Sequence, residues 1–129
     1  LNSGNHGFAH GCNTGAASAN GKYLLFLNPD TEVNGDVLNG LMHCARQSAD
    51  KTILSCAQAD SKGKDMRPYS FFLSPMTLFG IPRAIHRKRE GPMQEFELAG
   101  HKAVSPDWVS GSVVMISRSF FSQRRAPCR

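Results

Sequence analysis

The sequence predicts an α/β domain with a mainly parallel sheet. Tyr23–Leu27 is a continuous apolar run of strand length, Gly35–Ala49 carries apolar residues at helical spacing, and Thr52–Ala57 is a second strand-like segment. A strand, a helix and a strand in this order form a βαβ unit, in which the two strands are parallel and the crossover is right-handed. The 129 residues suit a single domain with a modest core.

The segment before the first strand is predicted to be a loop followed by a short helix. Leu1–Gly11 is rich in Gly and Asn, Cys12–Asn20 has a helical composition, and Gly21 is a typical C-terminal stop. Four small side chains would let this helix lie close against the sheet, namely Gly15, Ala16, Ala17 and Ala19. The second helix has Asn34 as its candidate N-cap, with Asp36 near the positive end of the helix dipole.

The net charge of +5 is concentrated in two basic clusters, within Arg83–Arg89 and within Arg118–Arg129. Aromatic residues do not interleave with these charges, so we predict no nucleic-acid partner. The apolar stretch Phe71–Pro82 precedes the first cluster. This segment is either a core-covering helix with a basic surface loop or an amphipathic contact with the inner face of a membrane. No apolar run approaches the roughly 20 residues that span a bilayer.

Neither the cysteines nor the histidines form a metal motif. No CxxC pair occurs among the cysteines, so we expect reduced thiols in a cytoplasmic protein; they are Cys12, Cys44, Cys56 and Cys128. His6 and His10 flank the Gly-rich loop, but they lack a third ligand at suitable spacing, so the sequence predicts no metal site there.

The first strand runs directly into Asn28-Pro29-Asp30. Pro29 ends the ladder because it has no N–H and a fixed φ. In open α/β sheets, ligands bind outside the carboxyl ends of the strands, so Asp30 would be displayed at the edge of a binding crevice. The alternative is a plain turn in which the Asp30 carboxylate caps the backbone that follows it.

The motifs around this strand resemble those of the family 2 glycosyltransferases, especially the rhamnosyltransferase-like branch. The stretch "NHGFAHGCNTGAASANGKYLLFLNPDTEV" has the family's Asn-x-Gly-Phe-Ala loop, Asn-x-Gly helix and Leu-Phe-Leu-Asn-Pro-Asp strand end. The stretch "DWVSGSVVMISRSFF", Asp107–Phe121, is similar to the family's Trp-Val-Ser-Gly strand. The resemblance covers about residues 2 to 121 and is weak from about 60 to 103.

The resemblance implies a GT-A fold and the transfer of a sugar, usually with inversion, from a nucleotide diphosphate donor to the hydroxyl of a saccharide or lipid-linked acceptor. Asp30 corresponds to the last carboxylate of the family's metal motif, which implies Mg²⁺ or Mn²⁺ bound by Asp30. Cys12 stands where many members have an Arg facing the donor. The positions that match the donor pocket are Asn5, Gly7, Phe8, Asn13, Asn28 and Asp30. The acceptor side corresponds to Trp108, Ser110 and Gly111, although Trp108 by itself fits a core or pocket-wall aromatic better than an acceptor platform.

The sequence departs from the family pattern at both ends. Leu1 lies within the loop before the donor helix, so the family's first, base-binding strand is missing, and no Asp or Glu follows Asp107 to act as the general base. We therefore expect a partial GT-A domain over residues 1–129, with 118–129 as a loose tail, no assignable catalytic residue and no activity of the chain alone. The alternative function is a non-catalytic remnant that oligomerises or binds nucleotide. An exposed sheet edge would favour a homo-oligomer. The donor sugar and the acceptor stay open.

Overall fold

The computed structural model describes residues 6–33, 35–66, 68–70 and 93–124. The chain divides into two compact units, one formed by residues 1–56 with 111–129 and the other by residues 57–110. The prediction of a single domain over residues 1–129 therefore stays a prediction. Phe71–Pro82 and the Arg83–Arg89 cluster lie outside the described residues, as do Asn5 and Asn34.

The first unit is built on a three-stranded sheet. Its elements are α1 (Phe8–Ser18), β1 (Tyr23–Leu27), α2 (Val37–Gln47), β2 (Ile53–Leu54), β9 (Val113–Ser117) and α3 (Arg118–Arg124). The strand order is β1-β9-β2, and β9 is antiparallel to both neighbours, with Leu25 opposite Met115 and Ile53 opposite Ile116. β9 lies at the centre of the sheet, with both of its edges paired. Its residues are accordingly almost all buried.

The core of this unit lies between α2 and the sheet. Leu41 and Ala45 from α2 pack with Val113 and Met115 from β9. The helix presents these side chains on one face because its apolar residues recur at three- and four-residue spacing. The hydroxyl of Tyr23 donates a hydrogen bond of 3.1 Å to the carbonyl of Ala45, which ties β1 to the last turns of α2.

The second unit contains only short antiparallel pairs within its described residues. They are β3 (Gln58–Ala59) with β4 (Asp65–Met66), β5 (Tyr69–Ser70) with β8 (Trp108–Val109), and β6 (Glu95–Leu98) with β7 (His101–Val104). The turn from β6 to β7 has positive φ at both Ala99 (53°) and Gly100 (80°), which is the backbone of a type I′ hairpin.

The two predicted helices, Cys12–Asn20 and Gly35–Ala49, are confirmed with shifted ends. α1 begins at Phe8 rather than Cys12, directly after Gly7, whose φ of 87° turns the chain into the helix. α2 begins at Val37 and follows Asp36 at its N-cap position. The second strand is shorter than predicted, because only Ile53–Leu54 of Thr52–Ala57 is paired.

The mainly parallel sheet is not confirmed, because every strand pair in the described residues is antiparallel. β1 and β2 do run in the same direction, but β9 lies between them, so the predicted direct pairing is corrected. What the fold shares with the expectation is a mixed α/β architecture consistent with a partial GT-A domain.

The first part of the predicted loose tail is helical. The hydroxyl of Ser117 accepts a hydrogen bond from the backbone N–H of Phe120 (3.2 Å) at the start of α3. The ring of Phe121 lies 5.3 Å from that of Phe26 in β1, and Arg118 donates to the carbonyl of Ala19 (2.8 Å). These contacts hold residues 118–124 against β1 and the end of α1, and 125–129 lie outside the described residues. No helix among the described residues is both long enough and apolar enough to cross a membrane.

Candidate functional site

A cleft of about 560 Å³ lies between α1 and β1 in the first unit. One face of α1 forms its first wall, because the lining residues recur at three- and four-residue intervals along the helix; they are Phe8, Gly11, Cys12, Gly15, Ala16 and Ala19. Gly111, which lies two residues before the start of β9, also lines the cleft. The volume lies within the range of about 300–1,000 Å³ that small-molecule sites occupy.

The small side chains of α1 leave this cleft open. A Cβ atom added at Gly11 or at Gly15 would meet no other atom within 4 Å, and no residue of α1 is buried. The sequence predicted that the small residues let this helix lie close against the sheet. The structure differs, because Gly15 faces open space, and Ala16 and Ala19 line the cleft between α1 and β1.

The second wall of the cleft is one edge of β1, called here the free edge because it has no strand partner in the described part of the chain. All six residues of Tyr23–Asn28 line it. Since successive side chains of a strand point to opposite faces, a cleft that touches all six must meet the strand along its backbone edge. In the described residues β1 pairs only with β9, along its other edge, so this edge has no strand partner there. Its backbone N–H and C=O groups can therefore hydrogen-bond to a bound molecule.

The Asn28-Pro29-Asp30 turn follows directly from this wall. The N–H of Asn28 donates to the carbonyl of Ser112 (2.9 Å), which continues the pairing with the β9 segment by one residue. The N–H of Thr31 then donates to the carbonyl of Asn28 (3.0 Å), which closes a turn over Pro29 and Asp30. Pro29 thus ends the strand as predicted.

Asp30 is exposed on this turn. Within the described ranges its carboxylate has no hydrogen bond or ion pair, and the backbone N–H of Thr31 is satisfied by Asn28 instead. The alternative in which Asp30 caps the backbone after it is therefore not seen in this part of the chain. An exposed carboxylate at a strand end is available to an external cation.

The remaining donor-side residues divide between the cleft and other surfaces. Phe8 is 72% exposed and lines the cleft, and Asn28 is half-buried on its opposite wall. Gly7 sets the start of α1 but is not part of the lining. Asn13 is half-buried on a different face of the helix, about 100° from Cys12 around its axis. Cys12 lines the cleft at the position where the resemblance led us to expect an Arg.

The predicted acceptor-side residues fall in different units. Trp108 and Ser110 belong to the second unit, and Gly111 belongs to the first. Trp108 lies in β8 with its side chain 44% exposed, so it is not a core residue of its own unit. The N–H of Ser110 donates to the carbonyl of Pro68 (2.5 Å), which fixes the backbone next to β5.

A smaller cavity of about 160 Å³, which the sequence did not indicate, lies on the other side of Tyr23. Polar and charged side chains contribute to its lining, among them Lys22, Arg46, Asp50 and Ser117. Ser119 donates a hydrogen bond to the Asp50 carboxylate (2.7 Å), and this bond is the largest cause of the lowered pKa of Asp50. No local motif signals this cavity, because Asp50 and Ser119 are far apart in the sequence.

The described ranges contain no group of three or more His, Cys, Asp or Glu side chains that could hold a metal ion. Asp30 is not among the residues that line the cleft, and a cation bound to its carboxylate would take its other ligands from a bound molecule and water. This arrangement suits Mg²⁺, which often binds through one or two carboxylates together with phosphate oxygens.

Comparison with family models gives a match to the model described as glycosyl transferase family 2 over residues 1–124. The match covers nearly the whole chain and confirms the family that the motifs indicated. It does not resolve the rhamnosyltransferase-like branch, which stays a prediction. Neither the curated proteins nor the solved structures give a match to this chain.

Proposed function

Because the chain belongs to glycosyl transferase family 2, we propose that it serves the transfer of a sugar from a nucleotide diphosphate donor to an acceptor hydroxyl. The observation that carries this proposal is the family match over residues 1–124, which includes every element of the cleft between α1 and β1. The donor sugar and the acceptor, whether a saccharide or a lipid-linked molecule, are not specified by it.

We place the donor in the cleft between α1 and β1. Phe8 offers an exposed aromatic face against which a flat ring can stack, and the glycines of α1 leave room for it. The free edge of β1 offers backbone groups, and Asn28 offers an amide at the end nearest the turn. We keep Asn5 and Asn13 in the proposed donor set because they match the family motif. Gly7 belongs to the set as the N-cap residue of α1.

We propose that Asp30 binds the divalent metal of this reaction. Its exposed carboxylate, which has no partner among the described residues, fits a cation that takes its other ligands from a diphosphate. A bound Mg²⁺ or Mn²⁺ supplies charge stabilisation to the diphosphate as it leaves. Asp30 would orient the donor by holding its phosphates beside the end of β1. The apolar residues of the cleft, such as Phe26 and Leu27, would limit the access of water.

On the acceptor side, the resemblance assigns Trp108, Ser110 and Gly111. Trp108 presents an exposed aromatic surface, which suits the apolar face of a sugar ring. The general base is not assigned to any residue.

A second candidate function is nucleotide binding without turnover. It is favoured by the lining of the cleft, which contains no Asp, Glu or His among its described residues and so no group that could take the acceptor proton there. The two functions are separated by incubating the chain with Mn²⁺, a panel of nucleotide sugars and simple saccharide acceptors. Release of nucleoside diphosphate well above the rate in buffer would exclude the non-catalytic function.

The donor proposal is tested by calorimetric titration of the chain with a nucleoside diphosphate and Mn²⁺. We expect binding that Asp30→Ala abolishes, because this change removes the proposed protein ligand of the metal. Glu32→Gln is the matched control, since Glu32 is an exposed carboxylate two residues along the same segment, and this variant should bind as the parent does. If Asp30→Ala binds metal and nucleotide as the parent does, the assignment of Asp30 is wrong.

A further inference from the structure

We propose that His6 and His10 form a binding site for a divalent transition-metal ion that prefers imidazole ligands, such as Ni²⁺ or Zn²⁺. This site is independent of the glycosyl-transfer proposal, and its ligand chemistry differs from that of Asp30. Imidazole nitrogen suits Zn²⁺, Ni²⁺ and Cu²⁺, whereas Mg²⁺ and Mn²⁺ favour oxygen ligands. No metal site is predicted here from the sequence, because it shows two ligands and no third.

The two rings lie at the separation that one shared ion requires. Their centroids are 4.8 Å apart and their planes are tilted by 55°. A metal–nitrogen distance of about 2.0–2.1 Å, with each ring centre about 1.1 Å behind its nitrogen, puts two rings on one ion roughly 4.5–5.2 Å apart for ligand angles of about 90–110°. The observed separation falls within this interval, so one ion can bind both rings if each turns a nitrogen towards it.

The backbone accounts for this proximity. His10 lies in the first turn of α1, and His6 precedes the helix by two residues. Gly7, between them, has a φ of 87°, and its carbonyl accepts the N–H of Gly11 (3.1 Å). This turn places His6 beside His10, in the relation that residues four apart have on a helix surface. Gly at position 7 is required, because a side chain is strained at this φ.

Both imidazoles are accessible to an ion from solution. His6 and His10 are exposed, and within the described part of the chain the contact between the two rings is the only interaction that either side chain makes. Water would complete the coordination, because the described residues contain no group of three ligands. The first turn of α1 has no acidic residue, so the positive end of the helix dipole opposes the ion, and we expect micromolar rather than nanomolar affinity.

The competing explanation is a plain aromatic contact between two exposed rings, since aromatic pairs commonly have centroid separations of about 4.5–7 Å. The two explanations differ in what either ring does alone. An ion bound to one histidine is already held beside the second, so the second ligand raises the affinity of the site. The loss of either histidine therefore removes most of that affinity. A plain ring contact gives no metal affinity above that of any exposed histidine.

The test is calorimetric titration of the full chain with NiCl₂, in the absence of nucleotide. We expect one site, with His6→Ala and His10→Ala each weakening the affinity at least tenfold. His43→Ala is the matched control, because His43 is also exposed and also lies on an 11-residue helix; it should change the affinity less than twofold. Circular dichroism of each variant establishes that α1 and α2 still form.

Two further measurements identify the ligands. Paramagnetic broadening of amide signals by Ni²⁺ should be confined to residues around the start of α1, and broadening centred elsewhere would overturn the proposal. Cys12→Ser should retain full affinity, because the proposed ligands are nitrogen atoms only. An equal loss in this variant, or unchanged affinity in either His6→Ala or His10→Ala, would show that the two histidines do not form the site.

Discussion

At the scale of single residues, a hydrogen-bonded group joins Asp50 to the start of α3. The Ser119 hydroxyl donates to the Asp50 carboxylate (2.7 Å), and the Ser117 hydroxyl donates to the Asp50 backbone carbonyl (2.8 Å). The two hydroxyls are 3.1 Å apart. The bond from Ser119 stabilises the ionised carboxylate and is the largest cause of the lowered pKa of Asp50. The strand that ends at Ser117 is thereby joined to the loop after α2.

Replacement of Ser119 by Ala should raise the pKa of Asp50 towards its ordinary value, because the principal hydrogen bond to the carboxylate is lost. A carboxyl group with a lowered pKa in the folded state stabilises that state above its unfolded pKa of about 3.9 and ceases to do so as the pH falls through the folded pKa. The stability difference between parent and variant should therefore be present near neutral pH and shrink below about pH 4.

The pKa itself is measured by NMR titration of the Asp50 side-chain carboxyl. Ser122→Ala is the matched control, because the Ser122 hydroxyl lies on the same helix but donates to the carbonyl of Arg118 (2.8 Å). This variant should leave the pKa of Asp50 unchanged. An unchanged Asp50 pKa in Ser119→Ala would contradict the assigned cause.

At the scale of elements, α2 shows how helical spacing separates a core position from a surface position. Leu41 is 6% exposed and packs with Val113 and Met115, whereas Leu38, three residues earlier, is 47% exposed. Both side chains are leucine on the same helix, so they have the same helix propensity and the same volume. Only their packing against the sheet differs.

Leu41→Ala should lower the free energy of unfolding by about 2–5 kcal/mol, because it removes buried methyl groups and leaves a cavity between α2 and β9. Leu38→Ala should change it by less than about 1 kcal/mol, since its side chain is largely in water already. Urea denaturation monitored by circular dichroism measures both. Equal losses in the two variants would mean that α2 does not pack on the sheet through the Leu41 face.

At the scale of the molecule, the first unit has a sheet whose strand β1 is paired on one edge only within the described residues. Leu25 and Leu27 on this strand and Phe8 at the start of α1 are exposed apolar side chains beside the free edge. Such an edge can pair with a strand of another chain. It is also the wall of the cleft in which we place the donor, so occupation by another strand would compete with the donor.

Self-association stays a prediction from the sequence, and the free edge gives it a location. We expect a dimer or larger species at micromolar concentration, and Leu27→Lys should shift the population towards monomer because it places a charge beside the edge. Light scattering over a concentration series measures this. Met66→Lys is the control, since Met66 is also an exposed apolar residue on a strand but belongs to the second unit. A parent chain that is monomeric throughout the series would contradict the prediction.

Local chemistry determined most of what the sequence predicted correctly. Apolar residues at three- and four-residue spacing set α2, and an uninterrupted apolar run ending at Pro29 set β1, because both patterns act through neighbouring residues. The loop and helix motifs before β1 and the Trp-Val-Ser-Gly segment identified the family, which the match over residues 1–124 confirms. The display of Asp30 on a turn at the strand end also followed from the short segment Asn28-Pro29-Asp30.

The tertiary structure alone decided which strands are neighbours and which site residues meet. An apolar run predicts a strand but not which strand pairs with it, so the insertion of β9 between β1 and β2 could not be read from either segment. The size of the cleft depends on the distance between α1 and the edge of β1. Packing over the whole unit sets that distance. The structure places Phe8 and Asn28 on opposite walls of the cleft and Asn13 on another face of α1, although all three lie in the same family-like stretch of sequence.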